Sequence, residues 1–218
     1  MNRQYVIMCG GVYETFGKPK AMTVVRGEEI VARTIRLLKA VGIPAEDIHI
    51  SGTDERLAKF GVDVLRHENS FRFDGTELFG CWLDAFYPGF EDGTKVTFLY
   101  GDVVYTEGAI RAIVGCRRPG EILFGTGIAR NRRHKNWGEP FAYKVDDYRR
   151  FMDGVEAVKI LWREGKLSRH PITWELYRYL NGLDVNVQRI NDATYICIDD
   201  GTADVDAPFR VGEIEKKI

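Results

Sequence analysis

This sequence lacks several features that mark common classes of protein. Its 218 residues carry 31 basic and 32 acidic side chains, so the net charge of −1 lacks the basic excess of a dedicated nucleic-acid binder. No apolar run approaches the ~18 residues of a membrane-spanning helix. No long apolar signal region precedes the first predicted strand. We therefore expect a cytoplasmic protein with neither a nucleic-acid partner nor a membrane partner.

Cysteine is scarce, and its spacing does not suit zinc. The four cysteines are far apart in the chain and form no C-x-x-C pair, and the four histidines show no ligand spacing. A zinc site is therefore not expected. We interpret Cys9, Cys81, Cys116 and Cys197 as reduced core thiols.

Two common phosphate-binding motifs are also absent. The segment from Gly10 to Thr15 reads G-G-V-Y-E-T, which is not the G-x-G-x-x-G of a dinucleotide-binding turn. Gly17-Lys18 is followed by Pro19, which has no backbone N–H to donate to a phosphate as a P-loop requires. These two classes of nucleotide site are therefore excluded.

The sequence does contain an alternation of strand-like and helix-like patterns. Strands are predicted at 5–9, 48–51, 62–65, 95–100, 121–129, 140–145, 187–190 and 194–198, and helices at 28–41, 54–60, 77–87, 107–114, 147–163 and 172–180. Repeated strand–helix–strand units imply a mostly parallel sheet covered on both faces, with ligands beyond the carboxyl ends of its strands. No linker interrupts the pattern, so we predict one domain over 1–218. Its nucleotide-binding part is expected at about 1–115 and its acceptor-binding part at about 116–218.

Several residues with suitable chemistry follow the predicted strands. Gly10-Gly11 and Asp102 each come directly after a strand, so both are expected at the ligand-binding edge. Paired glycines allow backbone N–H groups to approach phosphate, and a lysine shortly afterwards adds positive charge. Asp204 and Asp206 are two residues apart, so in an extended segment both carboxylates face the same side.

Together these elements resemble the nucleotidyltransferase family that includes sugar-phosphate nucleotidylyltransferases and small bacterial phosphocholine cytidylyltransferases. The resemblance is carried by Gly10-Gly11, Pro19-Lys20-Ala21-Met22, Gly27, Gly75-Thr76, Gly101-Asp102 and Asp204-Val205-Asp206-Ala207-Pro208, in this order. It implies a GT-A-like, three-layer α/β/α fold with a mostly parallel mixed sheet. It also implies a magnesium-dependent reaction of an NTP with a small phosphorylated acceptor that releases pyrophosphate.

The resemblance also assigns roles to particular residues. It implies that Lys20 is catalytic, that Gly10, Gly11, Lys18, Gly75 and Thr76 bind the nucleotide, and that Asp102, Asp204 and Asp206 bind Mg²⁺. Four of these assignments have alternatives, and the first is that Lys20 is a surface lysine in a loop that contains proline. Asp102 could instead cap the following helix, Thr76 could be a plain helix cap, and Asp199 could replace the later aspartates as metal ligand.

The loop after the first strand departs from the family pattern. Val12-Tyr13-Glu14-Thr15 stand where the family usually carries a further glycine and an arginine. A glutamate near a triphosphate would repel it, so Glu14 is expected to point away or to pair with a cation. Lys18 is a candidate for the missing positive charge.

Acceptor contacts are expected from the second half of the chain. One candidate set is the aromatic segment 137–143, which could enclose a cationic amine or simply pack under the neighbouring basic loop. The other comprises the basic residues Arg130, Arg132, Arg133 and Lys135, which could bind an acceptor phosphate or face water.

The short chain, which carries no hexapeptide repeat, favours a cytidylyltransferase that uses CTP, and a homodimer is an expected assembly. A glycosyltransferase of the same fold is an alternative, although the only Asp-x-Asp lies close to the C-terminus. A non-catalytic nucleotide-binding module is a second alternative, supported by the loop without arginine.

Overall fold

The computed structural model describes residues 3–127 and 138–218. Seven strands in this part of the chain form the main sheet, in the order β7-β5-β6-β4-β1-β2-β3. Their bounds are β1 (Gln4–Met8), β2 (Ile48–Ser51), β3 (Asp63–Leu65), β4 (Val96–Tyr100), β5 (Ile122–Thr126), β6 (Pro140–Val145) and β7 (Tyr195–Ile198). Only β6 runs against its neighbours, and the other adjacent pairs are parallel.

Both faces of this sheet are covered. Every residue of β4 is buried, as are Tyr5 to Met8 of β1, and successive side chains of a strand point to opposite faces. The helices are α1 (Ile30–Ala40), α2 (Glu107–Gly115), α3 (Tyr148–Arg163), α4 (Thr173–Leu180) and α5 (Val211–Ile214). The predicted mostly parallel α/β sheet is therefore confirmed.

Short 3-10 segments of three to six residues join many of these elements. They span Glu14–Phe16, Lys20–Met22, Ala45–Asp47, Glu55–Phe60, Trp82–Ala85 and Pro208–Arg210. The helix predicted at 54–60 is one of these segments. Helix α1 begins later than predicted, because Glu28–Glu29 first pairs with Val24–Val25 as a short antiparallel strand.

The helix predicted over 77–87 is wrong. Short strands lie at Arg72–Phe73 and Leu78–Phe79, and a 3-10 turn follows at Trp82–Ala85. Between the two strands the Asp74 carboxylate accepts hydrogen bonds from the backbone N–H groups of Thr76 and Glu77, at 2.8 and 2.9 Å. These bonds satisfy a tight turn, so the backbone reverses here and a helix cannot start.

The strand predicted at 187–190 is also wrong. The backbone N–H of Val187 donates to the Asp184 carbonyl in a turn, and the Val187 side chain is exposed. No neighbouring strand of the described chain pairs with this segment, so its apolar residues do not form a strand.

A small three-stranded sheet holds the loop that follows β1. Val12–Tyr13 pairs in parallel with Arg72–Phe73, which pairs antiparallel with Leu78–Phe79. The segment after Gly10-Gly11 is therefore fixed by backbone hydrogen bonds to a distant part of the chain.

A second small cluster attaches the C-terminal segment to the carboxyl end of β4. Val103–Val104 pairs antiparallel with Ala203–Asp204. The side chains of Val25, Ile30, Val104, Val205 and Ile214 pack together out of solvent. Burial of this apolar surface keeps the C-terminal acidic segment beside Asp102.

Two remaining expectations concern cysteines and membranes. All four cysteines are free. Cys9 and Cys81 are buried as expected, but Cys116 is half-buried and Cys197 is exposed, so the expectation of core thiols is wrong for Cys197. Over residues 3–127 and 138–218, no helix is both long enough and apolar enough to cross a membrane.

Candidate active site

The carboxyl ends of β1 and β4 form the floor of the candidate site. The Gly101 N–H donates to the Met8 carbonyl oxygen at 3.0 Å. A Cβ added at Gly101 would collide with that same oxygen, so only glycine permits this approach of the two strands. The close approach brings the loop after β1 next to Asp102.

The paired glycines turn the chain over this floor. Gly11 has φ +86°, in the left-handed region that glycine adopts without strain. A Cβ at Gly10 would lie only 2.8 Å from Asn69 Nδ2. That amide nitrogen is buried and has no hydrogen-bond partner in the described part of the chain, whereas Asn69 Oδ1 accepts from the Phe71 N–H at 2.9 Å.

Lys20 and Asp102, predicted separately, are in direct contact. Lys20 opens the 3-10 turn after Pro19, and its Nζ lies 3.2 Å from Asp102 Oδ2. The same Nζ lies 4.2 Å from the centre of the Tyr13 ring. Only 10% of the Lys20 side chain is exposed, so the ammonium group is held within the site.

Asp102 does not cap the following helix. The N-cap of α2 is Thr106, whose Oγ1 accepts from the Ala109 N–H at 3.0 Å. The helix-cap alternative for Asp102 is therefore wrong. Asp102 instead lines a hollow that Lys20, Gly10 and Gly11 also line.

The C-terminal aspartates lie beside Asp102. Asp204 is in register with Val103, and the Val205 N–H donates to the Asp102 carbonyl at 2.9 Å. The Val205 side chain is fully buried, while the carboxyl group of Asp204 is close enough to those of Asp206 and Asp102 to feel their charges. Burial is the main cause that raises the pKa of Asp204, and Asp206, Glu139 and Asp102 raise it further.

These carboxylates would suit a divalent cation only if other ligands complete its coordination. Over residues 3–127 and 138–218, no group of three or more His, Cys, Asp or Glu side chains is arranged to hold a metal ion by itself. Mg²⁺ in NTP-dependent enzymes needs only one or two carboxylates, because phosphate and water oxygens complete its coordination. Asp102 with Asp204 and Asp206 supplies carboxylate oxygens whose mutual repulsion a divalent cation would relieve.

Two hollows flank the glycine loop and share Cys9, Gly10, Gly11, Tyr13 and Asn69. The first also contains Lys20 and Asp102, with the aromatic rings of Phe71, Trp82 and Tyr100, and its empty volume out to solvent is about 500 Å³. The second contains Glu14, Gly17, Lys18, Thr53, Asp54 and His67. Gly10, Gly11, Lys18, Lys20 and Asp102 therefore line two adjoining hollows.

Gly75 and Thr76 line neither hollow. They lie in the turn between Arg72–Phe73 and Leu78–Phe79, where the Thr76 hydroxyl donates to Asp74 at 2.6 Å. The helix-cap alternative for Thr76 is wrong, because no helix begins there. Their contact with a nucleotide stays a prediction.

The predicted acceptor residues divide into two groups. Phe141 and Tyr143 are fully buried in β6, so these rings pack in the interior. Trp137, Arg130, Arg132, Arg133 and Lys135 lie outside the described residues. Glu139, at the end of the same segment, has its pKa raised by burial and by the charges of Asp206 and Asp102.

Sequence reasoning missed Asn69, Phe71, Trp82 and Tyr100 as lining residues. Tyr100 had a usable signal, because it ends a buried strand directly before Gly101-Asp102. Asn69, Phe71 and Trp82 had none, because the small sheet and the turn after it bring them to the glycine loop.

A glycine loop, a buried lysine and three carboxylates therefore lie together at the carboxyl edge of a mostly parallel sheet. The chain belongs to the MobA-like NTP transferase domain family, whose sequence profile matches residues 5–165. None of the curated protein sequences matches this chain.

Several solved structures with a similar fold are described as nucleotidyltransferases or related enzymes. A Bacillus anthracis protein described as a glucose-1-phosphate thymidylyltransferase is 13% identical, with a TM-score of 0.61 over 99% of this chain and 94% of that one. The nucleoside-diphosphate-sugar pyrophosphorylase of Vibrio cholerae RC9 is 12% identical, with a TM-score of 0.60 over 98% and 100%. The CTP:phosphocholine cytidylyltransferase of Streptococcus pneumoniae is 11% identical, with a TM-score of 0.52 over 99% of both chains. These similarities confirm the GT-A-like α/β fold.

Proposed function

We propose that this protein transfers a nucleoside monophosphate from an NTP, with CTP favoured, to a small phosphorylated acceptor and releases pyrophosphate. The observation that carries the proposal is the contact between Lys20 and Asp102 beside Gly10-Gly11. It combines a cation for phosphate, a carboxylate for a metal and a backbone that a phosphate can approach.

In this mechanism the chain positions the reactants and stabilises charge. The triphosphate lies along Gly10-Gly11, with Lys18 on one side and Lys20 on the other. An acceptor phosphate oxygen attacks the α-phosphorus and pyrophosphate leaves in line, while Lys20 stabilises the charge that develops on the α-phosphate. Asp102, Asp204 and Asp206 would hold Mg²⁺, which neutralises phosphate charge when it is bound.

CTP and a phosphorylated amino alcohol are favoured among the substrates. The pneumococcal protein of this fold is described as a CTP:phosphocholine cytidylyltransferase and aligns over 99% of both chains. The aromatic rings of Tyr13, Phe71, Trp82 and Tyr100 in the first hollow suit a cationic amine or a flat base. UTP or GTP with a sugar 1-phosphate is the alternative. The single domain, its division near residue 115, the nucleotide contacts of Gly75 and Thr76, and a homodimer are further parts of the proposal.

The test is an assay of pyrophosphate release with each of four NTPs and Mg²⁺, against sugar 1-phosphates and phospho-amino alcohols. We expect Asp102→Ala to abolish turnover and to leave the folded structure unchanged. Asp92→Ala, which alters an exposed aspartate before β4, is the matched control.

Three results would contradict this proposal. Wild-type turnover in Asp102→Ala would show that Asp102 is not a required ligand of the metal ion. Release of a nucleoside diphosphate from a nucleotide sugar, instead of pyrophosphate from an NTP, would indicate a glycosyltransferase. NTP binding without turnover under every acceptor would indicate a non-catalytic module.

A further inference from the structure

The glycine loop carries a carboxylate close to where a triphosphate would lie. Glu14 lines the second hollow together with Gly10, Gly11 and Lys18. An uncompensated carboxylate at this distance would repel every phosphate group of an NTP. Binding of an NTP here therefore requires a cation that offsets the charge of Glu14.

The structure pairs Glu14 with Arg72. The Arg72 Nε lies 3.1 Å from Glu14 Oε1, and Arg72 Nη2 contacts the same oxygen. The backbone of Arg72 is in register with Val12, two residues before Glu14. The small sheet therefore delivers the guanidinium group to the loop from a segment 58 residues away.

The local charge balance depends on this arginine. Between Gly10 and Lys20 the only basic residues are Lys18 and Lys20, and Lys20 is already paired with Asp102. Glu14 offsets the remaining positive charge of Lys18. Without Arg72 the charges of Lys18 and Glu14 sum to zero, and with Arg72 the loop presents a net positive charge to a polyanion.

A purely structural role explains this pair less well. The side chains of Arg72 and Glu14 are 57% and 42% exposed. Ion pairs this open to water stabilise a fold very little. The same charges also act on a bound polyanion, and because each of its phosphate groups interacts with them, their effect on binding is larger than their effect on folding.

We propose that Arg72 sets the affinity of the site for triphosphate by cancelling the charge of Glu14. Arg72 is a positioning residue that acts through Glu14. This inference rests on the proposed function, because it requires that an NTP binds along Gly10-Gly11.

The test is a double-mutant cycle read out by calorimetry. The probes are CTP with Mg²⁺ and inorganic triphosphate with Mg²⁺, which is independent of the base. Arg72→Gln exposes Glu14 and is expected to weaken both ligands about tenfold. Glu14→Gln is expected to bind at least as tightly as the wild type. The double variant is expected to return to within about threefold of the wild type, and Arg72→Lys to keep most of the affinity.

Turnover and salt provide readouts that a structural defect would not reproduce. Arg72→Gln should raise the KM for CTP while kcat changes less than about threefold. The gap between Arg72→Gln and the wild type should shrink as ionic strength rises, because salt screens exposed charges. Melting temperatures of all variants should agree closely.

Arg149→Gln is the matched control. Arg149 also forms an exposed ion pair, with Asp92 at 3.1 Å, and neither residue lines the two hollows. This variant makes the same change in net charge and should leave both affinities unchanged.

Several results would overturn the inference. They are wild-type affinity in Arg72→Gln, an equal loss in Arg149→Gln, or a defect in Arg72→Gln that Glu14→Gln does not repair. If the wild type itself binds neither CTP nor inorganic triphosphate, the proposed function fails first and this inference fails with it. The wild-type titration therefore distinguishes the two failures.

Discussion

Replacing Asp204 with asparagine is expected to stabilise the protein in EDTA while removing its activity. Burial and neighbouring carboxylates raise the pKa of Asp204 to about 8, compared with about 3.9 in an unfolded chain. Between these values the folded protein holds a proton that the unfolded chain releases. The wild type should therefore lose stability as the pH rises from about 4 to about 8.

The size of the effect follows from the pKa difference. A pH of 7 is about three units above the pKa of this carboxyl group in the unfolded chain. Each unit corresponds to about 1.4 kcal/mol, so the upper bound on the effect is about 4 kcal/mol. Because relaxation of the protein and entry of water relieve part of the cost of burying a charge, the effect is expected to fall below this bound. We expect Asp204→Asn to raise the free energy of unfolding by about 2–4 kcal/mol at pH 7.

The assay is urea unfolding at pH 5 and pH 8, in EDTA and in excess Mg²⁺. The wild type should gain stability from Mg²⁺ and the variant should gain much less, because the ion binds only the folded carboxylates. Asp153→Asn, at an exposed position on α3, should differ little from the wild type. The reasoning is refuted if Asp204→Asn is no more stable than the wild type at pH 8 in EDTA.

Three further variants test the geometry of the site. Lys20→Met should lower kcat about 100- to 1,000-fold in the pyrophosphate assay, because it removes the buried cation beside Asp102; a change below threefold would exclude a catalytic role. Gly101→Ala should destabilise the protein by about 2–3 kcal/mol in urea unfolding, because its Cβ collides with the Met8 carbonyl. Gly115→Ala, with open space around it, should be neutral, and equal costs for the two would contradict this argument. Asn69→Ala should raise the KM for the NTP about tenfold, because its amide nitrogen, which has no partner within residues 3–127 and 138–218, is expected to donate to the nucleotide; an unchanged KM would contradict that contact.

Much of the fold could be predicted because its signals are local. The buried strand before Gly10, the strand before Asp102 and the amphipathic pattern of α1 are each visible within a dozen residues. The consequence that ligands bind at one sheet edge follows from parallel strand topology alone. The helix predicted over 77–87 failed because hydrogen bonds to the Asp74 side chain outweighed a helical pattern of apolar residues.

The site itself could be predicted only in part. Lys20 and Asp102 were identifiable as separate candidates, but their contact depends on the close approach of β1 and β4 at Gly101. The helix-cap alternative for Asp102 could not be decided from the sequence, because Asp102 and Thr106 both precede α2 and both residue types cap helices. Asn69 and Trp82 carry no local signal of a role.

By itself, the sequence determined the class of fold, the edge of the sheet at which the candidate site lies and the residue types available there. These follow from periodicity and from the chemistry of glycine, lysine and aspartate, which do not depend on distant neighbours. The tertiary structure alone decided which charges meet. Asp204 lies beside Asp102 because a short strand pair and a small apolar cluster hold the C-terminal segment there. Glu14 meets Arg72 because a small sheet joins segments 58 residues apart, and no local pattern encodes such a pairing.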